Sequence, residues 1–108
     1  MTNVIKINMT TQQFLDNIES TYETALAIVQ KKNKDYAGQG DPFKNFNSSN
    51  FVGVSPERAI LVRMMDKMSR ISNLLEREEE TKDEKIEDTI VDIINYGAIL
   101  KAFLEKTD

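Results

Sequence analysis

The stretch Lys31–Asn47, KKNKDYAGQGDPFKNFN, constrains this chain more than any other, because it parts two helical segments. Two of the four glycines and one of the two prolines fall within its 17 residues. It also holds four lysines, two aspartates and three aromatics, Tyr36, Phe43 and Phe46. Connections of this length are uncommon in small domains, and they are usually functional or disordered. Disordered segments are poor in aromatics, so an ordered loop is expected. Rings that stack on a base, amides that bond its edge and ammonium groups that meet phosphate suit a nucleotide. In the structural alternative the same rings only pin the loop to its neighbours.

On either side the apolar residues recur at helical spacing. Thr10 and Gln13 have capping-box spacing, and Phe14, Ile18, Tyr22, Ala25 and Val29 follow at three- and four-residue intervals. Ser55-Pro56-Glu57 marks a second start, with an N-cap, a first-turn proline and an acid at the positive dipole end. Ile60, Met64, Met68, Ile71 and Leu75 then form one stripe. Asp83 is the expected cap of a third helix with the stripe Ile86, Ile90, Ile93, Gly97 and Leu100. Val4, Ile5 and Ile7 suggest a short strand or arm. The expected fold is all-α: helices over about 10–32, 56–79 and 84–104, an ordered loop over 33–54, and one domain spanning 1–108. The apolar faces are too wide for three helices alone, so a homo-oligomer completing a helical bundle is expected.

Composition removes several functional classes. Without cysteine there are no disulfides or thiolate metal sites. Without histidine there is no imidazole ligand or base, and no Ser–His or Cys–His nucleophile. Any metal would be held by oxygen, which favours magnesium, manganese or calcium. A net charge of −4 argues against general nucleic-acid binding. No apolar run approaches the roughly 18 residues of a membrane span, and the N-terminus has no signal-peptide pattern. No membrane association and a cytoplasmic location are therefore expected.

The polar stripes carry the chemistry. Arg63, Asp66, Lys67, Arg70, Asn73 and Arg77 form a mostly cationic line on the second helix. Asp88, Asp92 and Tyr96 share a line on the third. A short turn makes these helices antiparallel, bringing the two lines together. Three readings follow. Arg63 and Arg70 pair with Asp88 and Asp92 as plain salt bridges. Alternatively Asp66, Asp88 and Asp92 hold magnesium that binds a triphosphate and activates water. Or Arg63, Lys67 and Arg70 meet phosphates directly and the aspartates orient them.

The segments KNKDYAGQGDPFKNF, GVSPERAILVRMMDKMSRISNLL and IEDTIVDIINYGAIL together resemble the nucleotide-modification-associated domain, first type. Its members are small all-helical proteins of bacteriophages and their hosts. The resemblance spans roughly residues 20–104 and rests on a DY…DPFxNF loop, an RMxDKxxR helix and an EDTxxDxxNY helix in that order. More distantly the arrangement is similar to MazG-type nucleotide pyrophosphatases, which bind magnesium through EExxE and ExxD motifs. Here Asp66-Lys67-Met68-Ser69-Arg70 stands where those enzymes offer three glutamates. Nearby cations repel a metal and attract bare phosphate.

The resemblance thus implies nucleotide binding in a phage-infected or bacterial cytoplasm, and the charge balance, rich in Arg and Lys and poor in metal ligands, favours sequestration of a nucleotide or nucleotide second messenger with no required cofactor. The alternative is a magnesium-dependent pyrophosphatase of nucleotide-pool or DNA-modification metabolism, and the third a structural helical interaction protein. The expected ligand contacts are Lys34, Asp35, Tyr36, Asp41, Asn45 and Phe46 from the loop, with Phe43 as its anchor. Arg63, Lys67 and Arg70 face the phosphates. Asp66, Asp88 and Asp92 are metal ligands only in the alternative.

Overall fold

The computed structural model describes residues 8–36, 44–77 and 84–106, all helix or short connection. Helix α1 spans Thr11–Tyr36, the 3-10 segment η1 spans Lys44–Val52, α2 spans Pro56–Leu75 and α3 spans Glu84–Glu105. The all-α expectation holds. No helix among the described residues is long and apolar enough to cross a membrane. Val4, Ile5 and Ile7, expected as a strand or arm, and the expected cap Asp83 lie outside the described residues.

Of the three expected helix starts, the two within the described residues form through their side chains. The Thr10 amide donates to Gln13 Oε1 at 3.0 Å, and the Gln13 amide donates to Thr10 Oγ1 at 3.1 Å. That reciprocal pair satisfies two amides that have no partner within the helix. Ser55 is extended, and its Oγ accepts from the Arg58 amide at 3.2 Å ahead of the first-turn Pro56. Gly53 precedes this cap with φ of +76°, a left-handed value that glycine adopts without strain and that lets η1 turn into α2.

Two boundaries differ from the expectation. Helix α1 runs to Tyr36, about a turn beyond 32, so Lys34, Asp35 and Tyr36 belong to a helix and not to the loop. Lys31 closes an i,i+4 pair with Asp35 at 3.0 Å, and Lys34 lies at the negative dipole end. Helix α2 stops at Leu75 and not near 79, with Glu76 as its C-cap. The sequence that follows, EREEE, would load acids onto the negative end of a longer helix. The stretch expected as plain loop also contains η1, a fourth helical element.

Helix α3 is the central helix, with α2 packed along it and α1 against it. Thr89 and Phe103 are buried, and every residue from Val91 to Gly97 is at least half-buried. Helix α1 turns Ile18, Thr21, Ala25 and Ile28 inward. On α2 the covered line is Ile60, Met64, Lys67, Ile71 and Leu74, at intervals of four, three, four and three. It passes through Lys67 where an apolar stripe was expected to pass through Met68. Met68, Leu75, Phe14, Tyr22 and Ile90, all expected in core stripes, are exposed.

Gly97 lies within α3, yet a Cβ built there meets nothing within 4 Å. Replacing a helical glycine by alanine removes backbone entropy from the unfolded chain. Gly97→Ala is therefore expected to stabilise the fold by roughly 0.5–1 kcal/mol, read as a higher urea midpoint at unchanged slope. A lower midpoint would mean that the position is covered.

Candidate functional site

The antiparallel run of α2 and α3 decides which polar groups meet. Lys67 Nζ lies 2.9 Å from Asp92 Oδ2 across the seam, with side-chain exposures of 28% and 29%. Of the expected phosphate-facing cations, Lys67 is therefore already held by a carboxylate. Arg63 and Arg70 are exposed, and neither makes an ion pair with Asp88 or Asp92. Both remain on the α2 flank as charges without a carboxylate among the described residues. They stand two turns apart, about 10 Å along the axis. Asp66 and Asp88 are exposed as well.

At the first of these arginines the structure builds a column of rings and cations. The Arg63 guanidinium carbon lies 5.6 Å from the centroid of the Phe46 ring. Phe46 meets Phe103 edge to face, with centroids 5.7 Å apart at 85°. Lys106 Nζ completes the column 5.5 Å from the Phe103 centroid. Each cation lies within the range where a ring's quadrupole attracts it. Phe46, expected to stack on a base, thus has one face under Arg63 and an edge contact with α3. It pins η1 to the helices, the role expected of Phe43, which lies outside the described residues. Ser49 Oγ is buried in η1 with no hydrogen-bond partner among the described residues.

The loop candidates are dispersed. Lys34 and Asp35 are exposed on the last turn of α1, and Asp35 is held by Lys31. Asp41 lies outside the described residues, as do the side chains of Tyr36 and Asn45. Phe103 and Lys106, which join Phe46 and Arg63, were not among the expected site residues. Their i,i+3 spacing at the end of α3 was the available signal, given that α3 returns antiparallel past the start of α2.

A metal fits this arrangement poorly. Among the described residues no three carboxylates converge as ligands. Asp92 is engaged by an ammonium group, which opposes a divalent cation at the same oxygen.

No family model, curated protein or solved structure matches this chain.

Proposed function

We propose that this protein binds a nucleotide bearing more than one phosphate, and holds it without cleaving it, on the face made by the Arg63–Arg70 flank of α2 and η1. The observation that carries this is the division of charge in the seam. Lys67 takes Asp92, so Arg63 and Arg70 keep exposed guanidinium groups in a chain of net charge −4. Guanidinium forks phosphate oxygens and stays charged at every working pH. Two of them about 10 Å apart along a helix suit a ligand with several anionic groups better than a single phosphate. Asp66 stands at i,i+4 to Arg70, the spacing at which a carboxylate orients a guanidinium, and its proposed role is that or accepting from a ribose hydroxyl. The RMxDKxxR and DPFxNF resemblance supports the same ligand class, and in a phage setting it extends to sequestration of a nucleotide second messenger.

Thermal-shift screening against linear and cyclic nucleotides, with magnesium or with EDTA, tests this reading. At a free ligand concentration one hundred times Kd the expected stabilisation is about 2.7 kcal/mol, a rise of roughly 10–20 °C for a domain this size. The rise is expected in EDTA, with the ligand recovered intact by mass spectrometry. Arg70→Ala, which removes a side chain with no ion pair among the described residues, is expected to erase most of the shift and leave the ligand-free melting temperature unchanged. Recovery of a cleaved ligand, lost on Asp88→Asn or Asp92→Asn, would replace this reading with the magnesium-dependent pyrophosphatase. No shift with any nucleotide would leave a helical interaction protein.

A further inference from the structure

Helix α2 carries a second apolar line that none of the described residues covers. Leu61, Met65, Met68, Ser72 and Leu75 repeat the intervals of four, three, four and three, one residue out of phase with the line that meets α3. All five are exposed, Met65 at 67% and Met68 at 58%. Such spacing generates a helix-packing seam, and two adjacent seams on one helix call for two neighbouring helices. Helix α3 fills the first.

We propose that the second seam is filled by the α2 of another copy of this chain, packed antiparallel across a two-fold axis at Met68. Three observations select that occupant. The line is centred on Met68, seven residues from both Leu61 and Leu75, so an antiparallel copy places Leu61 on Leu75 and Met68 on itself. The same arrangement sets each Met65 beside the smaller Ser72 of the other copy, so that large fills against small. The exposure is consistent with it: four large apolar side chains of the line, Leu61, Met65, Met68 and Leu75, are between 47% and 67% exposed. At on the order of 100 Å² each they offer about 400 Å² of apolar area, the centre of a patch whose polar rim completes the roughly 800 Å² per partner of a standard interface. The core supports the same conclusion, because Ala25, Ile60 and Phe103 are the only buried apolar side chains among the described residues.

Pairing two α2–α3 hairpins in this way makes a four-helix core. The Arg63–Arg70 flank lies on the other side of α2 from the second seam, by the 100° step per residue, so pairing leaves it open. The proposal is therefore independent of any ligand.

Light scattering of the ligand-free protein at micromolar concentration is expected to give the mass of two chains. Met65→Glu/Met68→Glu is expected to halve that mass while retaining helical circular dichroism, because both side chains are exposed in the single chain. The chain has no cysteine, so Met68→Cys reports directly and is expected to form an intermolecular disulfide under mild oxidation. Asn73→Cys, on the opposite flank, is expected to stay reduced. A single-chain mass for the wild type would overturn the proposal, as would a dimer that survives the double glutamate variant. Cross-linking through Asn73→Cys but not Met68→Cys would also overturn it.

Discussion

Phe103→Ala is expected to lower stability by roughly 3–5 kcal/mol, the range seen when a buried aromatic is truncated in a packed core. Phe103 is only 3% exposed and is one of three buried apolar side chains among the described residues, so its loss has little to redistribute onto. It also meets Phe46 edge to face, with ring centroids 5.7 Å apart, and through Phe46 it holds η1 against α2 and α3. The variant therefore removes core volume and the anchor of the connecting segment together. Against a total of about 5–15 kcal/mol for a native domain, the loss approaches global unfolding at physiological temperature. Urea unfolding of the wild type, Phe103→Ala, Phe46→Ala and the double variant separates the two parts. The ring–ring coupling is expected at roughly 0.5–1.5 kcal/mol, with the remainder belonging to Phe103 itself. Phe103→Leu should recover most of the volume and none of the coupling. A loss below about 1 kcal/mol for Phe103→Ala would mean that η1 and the end of α3 are held elsewhere.

The second large effect concerns the ion pair in the seam, where the sign depends on how it is removed. Lys67→Ala leaves the Asp92 carboxylate partly covered between α2 and α3 with no cation. Removing one partner of a fully buried pair destabilises by about 3–5 kcal/mol. Here each side chain keeps nearly a third of its exposure, and water screens the remaining charge, so about 1–3 kcal/mol is expected. Replacing both, as Lys67→Met/Asp92→Leu, is expected to be neutral or stabilising, because apolar packing replaces two desolvated charges. The same double variant should lose specificity, since a polar pair at one seam position fixes register between helices. Denaturation midpoints report the first effect and amide exchange protection along α2 and α3 the second. Destabilisation by the double variant as large as that of Lys67→Ala would show that the pair contributes net stability.

How much of this was legible in the sequence differs by element. Thr10 with Gln13 and Ser55 with Pro56 placed two helix starts, because capping is local chemistry between residues three apart. Helix ends were less legible. The Lys31–Asp35 pair carried α1 onward through Tyr36, and the acid-rich EREEE ended α2 early. Core membership was only half legible. A stripe drawn through Met68 and one drawn through Lys67 differ by a single residue, about 100° around the helix. Apolarity favoured Met68, whereas packing against α3 chose Lys67 because Asp92 stood opposite.

The candidate site divides the same way. The cationic character of Arg63 and Arg70, and the exclusion of histidine and thiolate chemistry, follow from residue identity alone. Residue identity also set the all-helical class, since apolar spacing and caps are properties of neighbours along the chain. Tertiary structure alone decided which charges cancel: Lys67 rather than Arg63 or Arg70 meets Asp92, and that leaves the two guanidinium groups exposed. It also turned the loop ring Phe46 from a free platform into a wedge between Arg63 and Phe103. Those outcomes depend on how one helix is rotated against another. Charge and periodicity within a single helix are compatible with several rotations, and only the facing helix selects one.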